Sequence, residues 1–551
     1  EHGALHCTSA FDERSAAYYA LGQARSTLLP SLLICTSGSA PANYFPAVIE
    51  ASEAGVPLLI LSADRPPELL HCGANQTTDQ SGLYGTHTRF FANLGEPSSE
   101  LPALRAIRRL AVRAFSEATG PRPGPVHLNA QARKPLEPVP PGDALRNRVH
   151  AVIEEPLTHL HRVRPLDPTL IESIPELVVD EVAESLDKAS RPVILCGPAD
   201  VRSAMFVDVL DRLCERSGAL LFAETSSQVR SWSSTRALGA FDTIWRTETG
   251  RVLGRPDFVL QLGAAPVSKG WEQLCASRRI PRVVVHPWAW ADPSSDAEAI
   301  VHADIGSFVT ALSRAEFHRS RRDGRFVQWF VDAEATVWRT ADEILAESGQ
   351  PLNEPGVVRA VLDLAPNPSA LFLGNSLPIR DAETWAPPSE KLLVVHTQRG
   401  VSGIDGIVSN AAGVASSIDG ATTLLVGDVS FLHDLNGLHL ASRVEGPLVI
   451  VVINNGGGRI FEHLPIAETE GKRWLPFFTT PHDADLASAS ATYGCAHRRV
   501  TRLDELREAL LGAYSSDGCS VVEAMVPETS ARDQQRELLR RVGETLAAEG
   551  S

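Results

Sequence analysis

The run Thr422-Thr423-Leu424-Leu425-Val426-Gly427-Asp428-Val429-Ser430, followed by Leu448-Val449-Ile450-Val451-Val452-Ile453-Asn454-Asn455-Gly456-Gly457-Gly458, is the most informative part of the chain. Each half is a short β-branched, apolar segment that ends in small or polar residues. Such uninterrupted apolar runs suit strands buried on both faces of a parallel sheet. The 27 residues from Asp428 to Asn455 are enough for a strand end, a crossover helix and the next strand. Both side chains are then predicted at one sheet edge, beyond the strand carboxyl ends where open α/β sheets bind ligands. A carboxylate, an amide oxygen and a backbone carbonyl suit a hard divalent ion such as Mg²⁺, which also takes phosphate oxygens and waters. Taken singly, Asp428 reads as a helix cap and Asn454–Gly458 as a turn; together, at this spacing, they point to a metal–diphosphate site. The segment has neither the G-x-x-x-x-G-K-[ST] of a P-loop nor the G-x-G-x-x-G of a dinucleotide fold.

Outward from this pair, similar strands recur between helical patterns. One group holds Leu32–Cys35, Pro57–Ser62 and Pro125–Asn129, and a second Arg191–Gly197, Asp257–Gly263 and Arg282–His286. A third adds Ala370–Gly374, Leu392–His396 and Ser520–Val526 to the two strands above. Joints rich in Pro, Glu and Arg at 131–185, and around Glu347–Pro355, separate the groups. The reading is three α/β domains, 1–140, 186–346 and 352–551, each with a mostly parallel sheet flanked by helices. A length of 551 residues, 43% hydrophobic and 21% charged, fits a multidomain globular protein. The net charge of −16 argues against a nucleic-acid or anionic-membrane surface. The longest apolar run, Pro447–Ile453, is far below the ~20 residues of a membrane span. Eight scattered cysteines without a C-x-x-C pair read as small buried hydrophobes of a reducing, cytoplasmic compartment. No secretory signal is visible, and a start at Glu1 rather than Met suggests that the natural N-terminus lies upstream.

The Gly-Asp…Asn-Asn arrangement resembles the diphosphate-binding motif of thiamine-diphosphate enzymes. Further segments resemble one family in particular, the 2-succinyl-5-enolpyruvyl-6-hydroxy-3-cyclohexene-1-carboxylate (SEPHCHC) synthases of menaquinone biosynthesis. They include Phe11-Asp12-Glu13-Arg14, Cys35-Thr36-Ser37-Gly38, Ser62-Ala63-Asp64-Arg65-Pro66-Pro67-Glu68-Leu69 and Cys72-Gly73-Ala74-Asn75-Gln76. Gly374-Asn375-Ser376 with Arg380, Arg399-Gly400-Val401-Ser402-Gly403-Ile404-Asp405-Gly406, Gly456–Phe461 and Thr480-Pro481-His482 continue the series. The likeness runs through the whole chain in order and is weakest in the middle domain.

The resemblance implies a pyrimidine-binding first domain, a central domain and a diphosphate-binding third domain. It also implies thiamine diphosphate with Mg²⁺ or Mn²⁺ as cofactors. Glu13 would hydrogen-bond the aminopyrimidine ring, Ile404 would prop the cofactor into its bent form, and Asp428, Asn455 and the Gly457 carbonyl would be the metal ligands. On sequence alone Glu13 is just an acid near a helix start, and Ile404 is equally a core residue. The implied reaction decarboxylates 2-oxoglutarate and adds the succinyl-semialdehyde carbanion equivalent to isochorismate in a 1,4-addition. These substrates carry several carboxylates, for which Arg is well suited. The matching positions are Arg65, Asn75, Gln76, Lys269, Asn375, Ser376, Arg380 and Arg399, with Ile460, Phe461 and Leu464 as an apolar wall. Arg65 is also placed to brace the turn before Pro66-Pro67. A homodimer or homotetramer with active sites at the subunit interface follows from family architecture.

Two departures stand out. The family opens with a strand and a Pro-Gly-Ser-Arg loop that precede Glu1, and Gly270 stands where some members have arginine. The competing readings are another thiamine-diphosphate-dependent 2-oxoacid decarboxylase or carboligase, and a noncatalytic relative with the same fold. No Ser-His-Asp, Cys-His or H-E-x-x-H signature suggests other chemistry.

Overall fold

The computed structural model describes residues 6–549, apart from 135, 137–173 (save 142 and 147), 233, 235 and 278. Most of the joint expected over 131–185 therefore lies outside the described residues. Three wholly parallel sheets carry the fold. The first contains β1 (Ser31–Cys35), β2 (Leu58–Asp64), β3 (Phe90–Gly95) and β4 (Pro125–Gln131), in the order β1-β2-β4-β3. The second contains β5 (Pro192–Cys196), β6 (Leu220–Ala223), β7 (Ala237–Leu238), β8 (Phe258–Leu262), β9 (Arg282–His286) and β10 (Ala299–His302), ordered β10-β9-β8-β5-β6-β7. The third contains β11 (Ser369–Leu373), β12 (Leu393–Thr397), β13 (Thr422–Gly427), β14 (Leu448–Asn454), β15 (Ala496–Val500) and β16 (Cys519–Met525), ordered β12-β11-β13-β14-β16-β15. All eleven expected strands are present within two residues of their expected ends. The additional ones are β3, β6, β7, β10 and β15.

By contacts the chain forms two compact units. Residues 1–172, 398–419 and 433–444 make the first; residues 173–397, 420–432 and 445–551 make the second. In the first unit, the helix Glu13–Thr27 lies backbone to backbone against the helix Ile407–Ala415. A Cβ on Gly22 would fall 2.0 Å from the Asn410 carbonyl oxygen, and one on Gly413 2.0 Å from that of Tyr19. Only glycine permits so close a crossing. Ala17, Tyr18, Leu21 and Ala24 of the first helix pack with Val48, Ala51, Leu58 and Ile60 in this unit's core.

In the second unit, Val449, Val451 and Ile453 of β14 are buried with Leu371, Leu425, Val522 and the helix residues Val357, Val361, Leu506 and Leu510. The central sheet has apolar layers on both faces. One includes Val179, Val182 and Leu186, so the helix Glu176–Lys188 already belongs to that sheet's body. The other includes Leu538, Val542 and Leu546 of the C-terminal helix Ser530–Glu549, which returns to pack on the central sheet. Burying a single such leucine stabilises the fold by ~2 kcal/mol. Of the eight cysteines, 196, 214, 495 and 519 are buried as expected, whereas Cys7 and Cys72 are exposed. No described helix is long and apolar enough to cross a membrane.

Candidate active site

Strand order fixes where chemistry is possible in the second unit. The order of winding reverses between β11 and β13, hydrogen-bonded parallel neighbours in the third sheet: the chain passes from β11 outward to β12 and then returns to β13 on the other side of β11. Ligands bind at such switch points, beyond the strand carboxyl ends. β11 is followed by Gly374-Asn375-Ser376, and β13 ends in Gly427 before Asp428. β14 pairs with β13 in the register Gly427↔Ile453, which sets Asn454 and Asn455 next to Asp428.

The Asp428 carboxylate is buried and tied to the neighbouring loop. Its Oδ1 accepts from Val429 N at 2.7 Å and its Oδ2 from Gly457 N at 2.9 Å. His482 Nε2 lies 3.3 Å from the same Oδ2. Burial pushes the Asp428 carboxyl above its ordinary value, against the opposing pull of these backbone hydrogen bonds. Asn455 donates through Nδ2 to Glu354 Oε2 at 3.2 Å, which leaves its buried Oδ1 without a hydrogen-bond partner. Burial likewise pushes Glu354 up to about 7. A buried acceptor oxygen without a donor costs stability unless something else occupies it. The loop permits this geometry because Gly456 and Gly457 adopt φ of 73° and 147°. A Cβ on Gly457 would lie 2.5 Å from the Thr479 carbonyl oxygen. Two carboxylate oxygens, an orphaned amide oxygen and an adjacent backbone carbonyl form an all-oxygen donor set that fits a hard divalent cation.

Lys269, Arg380, Ile460 and Leu464 all line one cavity of about 340 Å³. Arg380 donates through Nη1 to the Ser376 carbonyl at 2.7 Å. Ser376 itself is strained, with φ 76°, and Asn375 is buried beside it. Phe461 does not line the cavity; its ring packs against Phe478, 5.6 Å between centroids. Arg246, His463, Arg532 and Gln535 join the wall unannounced by any local motif. They come from three separate segments of the chain, so only the folded arrangement reveals them. The turn before Lys269 is held by Asp242, whose Oδ1 accepts from Ser268 Oγ at 2.7 Å and from Gly270 N at 2.8 Å. A Cβ on Gly270 would fall 2.4 Å from the Asp242 carbonyl oxygen, so no larger side chain fits this packing.

The remaining candidates lie in the first unit. Glu13 opens the helix Glu13–Thr27, where Asp12 caps the helix by accepting from Arg14 N at 2.9 Å. Ile404 is part-buried rather than packed into that unit's core. Arg65 reaches Gln76, Nη2 to Oε1 at 3.5 Å, and Gln76 donates to Thr36 Oγ1 at 3.0 Å and to the Ser37 carbonyl at 3.1 Å. Asn75 is exposed next to them. Beneath these loops lies a buried polar network that the sequence did not announce. Ser62 Oγ sits 2.7 Å from His127 Nε2 and 2.8 Å from Asn129 Oδ1, while Asn129 donates to Asp64 Oδ2 at 2.7 Å. Arg399 is part-buried in the segment 398–419.

Comparison with known proteins follows the same lines. The N-terminal TPP binding domain of thiamine pyrophosphate enzymes matches residues 1–83, and their C-terminal TPP binding domain matches residues 395–524. A 2-succinyl-5-enolpyruvyl-6-hydroxy-3-cyclohexene-1-carboxylate synthase of Sorangium cellulosum is 39% identical over 99% of this chain and 90% of its own length. The enzyme of that name from Haloarcula marismortui is 36% identical over 100% of this chain and 93% of its own. A solved structure from Mycobacterium smegmatis, of a protein described as thiamin diphosphate-dependent, covers 94% of this chain and 92% of its own at TM-score 0.64. At 17% identity that likeness speaks for the fold alone. With relatives this similar along nearly its whole length, and both cofactor-binding domains in place, the chain belongs to the SEPHCHC synthase family of thiamine-diphosphate enzymes.

Proposed function

We propose that the protein joins 2-oxoglutarate to isochorismate, releasing carbon dioxide and giving SEPHCHC for menaquinone biosynthesis. The observation that carries this reading is the orphaned Asn455 Oδ1 beside the buried Asp428, at the ends of adjacent strands in a member of this family. The donor chemistry fits Mg²⁺ or Mn²⁺, which Asp428, Asn455 and the Gly457 carbonyl would hold for the cofactor diphosphate. Thiamine diphosphate, when bound, supplies the nucleophilic carbon for both decarboxylation and carbon–carbon bond formation.

The chain's own residues bind, orient and shield. Glu13 would hydrogen-bond the aminopyrimidine ring, and Ile404 would prop the cofactor in its bent form. Lys269, Arg380, Arg399 and Arg65 pair with substrate carboxylates, while Asn75, Gln76, Asn375 and Ser376 add neutral hydrogen bonds. Ile460 and Leu464, on the wall of the Lys269–Arg380 cavity, would exclude water from the reacting atoms. The domain assignment in this reading is 1–140 for the pyrimidine, 186–346 for the central body and 352–551 for the diphosphate. The assembly is a cytoplasmic homodimer or homotetramer with active sites at the subunit interface.

The test is a four-component assay with thiamine diphosphate, Mg²⁺, 2-oxoglutarate and isochorismate, omitting one at a time. Isochorismate loss coupled to carbon dioxide release, only with all four present, is the expected result. Carbon dioxide release at the same rate without isochorismate identifies a plain 2-oxoacid decarboxylase instead. Absence of turnover with cofactor binding intact identifies a noncatalytic relative.

A further inference from the structure

Glu50 is a fully buried carboxylate, in the helix Phe45–Ala54, that neither the cofactor reading nor the substrate reading uses. Its two oxygens clamp two consecutive peptide groups: Oε1 accepts from Gly400 N at 2.9 Å and Oε2 from Val401 N at 2.8 Å. Arg25, itself buried, places Nη2 3.3 Å from Oε1 and balances the charge. The loop is pressed against the helix at this point, since a Cβ on Gly400 would fall 2.6 Å from the Glu50 carbonyl oxygen. Its far side is tied as well. Gln398 donates through Nε2 to the carbonyls of Gly403 at 3.2 Å and Asp405 at 2.8 Å, and accepts from Asn410 Nδ2 at 2.9 Å. Holding the Gly400 N–H fixes the peptide plane that leaves Arg399, and with it the direction in which the Arg399 side chain departs. A buried charge is tolerated only when paired and hydrogen-bonded, so a carboxylate spent on two loop N–H groups marks a loop whose geometry matters.

We propose that Glu50 is a positioning residue for the reaction: its carboxylate, braced by Arg25, fixes the Arg399–Val401 backbone and so aims the Arg399 guanidinium at a substrate carboxylate. This rests on the reading of Arg399 as a substrate ligand. The test is a double-mutant cycle on the full-length enzyme with kcat and KM measured for both substrates. Glu50→Gln keeps the shape but turns an amide NH2 toward one loop N–H and removes the partner charge of Arg25. It is expected to raise KM for one substrate about tenfold while kcat changes by less than about threefold. Arg399→Met raises the same KM, and the Glu50→Gln/Arg399→Met pair is no worse than Arg399→Met alone. Glu50→Asp, which retains the charge one methylene short of the loop, falls between wild type and Glu50→Gln and carries the test if Glu50→Gln does not fold. A wild-type KM in the Glu50 variants, or additive losses in the pair, overturns the positioning role. Unchanged KM values in Arg399→Met overturn instead the reading of Arg399 on which it rests.

Discussion

Replacing Gly457 by alanine isolates what the glycine loop does for the proposed cofactor site. At φ 147° the position lies in a region essentially reserved for glycine, which costs ~1–3 kcal/mol for any other residue. The new Cβ would stand 2.5 Å from the Thr479 carbonyl oxygen, which already accepts from Gly458 N at 2.7 Å, so the loop has to move to admit it. Movement breaks the Gly457 N–H bond to Asp428 and shifts the Gly457 carbonyl, together ~3 kcal/mol or more in the ligand-binding arrangement. That corresponds to a loss of about a hundredfold or more in affinity. Gly456→Ala is the internal control. Its φ of 73° is also left-handed, but its nearest foreign atom is the far end of the Arg459 side chain at 3.5 Å, so the cost is ~1–2 kcal/mol and a tenfold loss or so. Titration of thiamine diphosphate in the presence of Mg²⁺, followed by calorimetry, reads both variants against wild type. Equal affinities for Gly457→Ala and wild type would refute the assignment of this loop to the metal–diphosphate site.

Glu13→Gln is expected to bind thiamine diphosphate within about threefold of wild type yet lose ~10²–10⁴-fold in kcat, as removal of a proton-handling group does; full activity removes Glu13 from the mechanism. Lys269→Met is expected to raise KM about tenfold for one substrate with kcat little changed, because one charged hydrogen bond to a carboxylate is lost. A drop in kcat at unchanged KM would place Lys269 elsewhere in the reaction. Burial lowers the His127 imidazole from its ordinary 6.5 to about 4. The unfolded chain then takes up a proton that the native state refuses between these values, so stability is complete above pH 6.5 and falls as the pH drops toward 4, by up to ~3 kcal/mol. Thermal unfolding of wild type and His127→Gln over this range checks the sign: the variant's curve is expected to be the flatter of the two.

How much was legible in the sequence depended on whether the signal was local. β13 and β14 were, because a strand buried on both faces of a parallel sheet favours uninterrupted apolar residues, as in Leu424–Val426 and Leu448–Ile453. The spacing of Asp428 and Asn455 was enough to place both at one edge, since a crossover connection of that length leaves little choice. β10 and β15 escaped notice because they are edge strands with one side exposed. The Ala-His-Arg-Arg-Val of β15 needs no apolar pattern, since its pairing with β16 comes from backbone hydrogen bonds. β3 is likewise an edge strand, and β7 is only two residues long.

The sequence by itself therefore determined the parallel α/β architecture, the likeness to thiamine-diphosphate enzymes and the residues proposed as metal ligands, all written in short contiguous segments. Only the tertiary structure decided which residues support them. The clamp of Glu50 on Gly400 and Val401 spans 350 positions, the bond of Asn455 to Glu354 spans 101, and Arg246 and Arg532 enter the Lys269–Arg380 cavity from distant helices. It also decided that Gly270 has no room for a larger side chain and that residues 398–419 pack with the first unit. Such contacts join elements far apart in the chain, and no local pattern encodes a partner that only the packed core brings within reach.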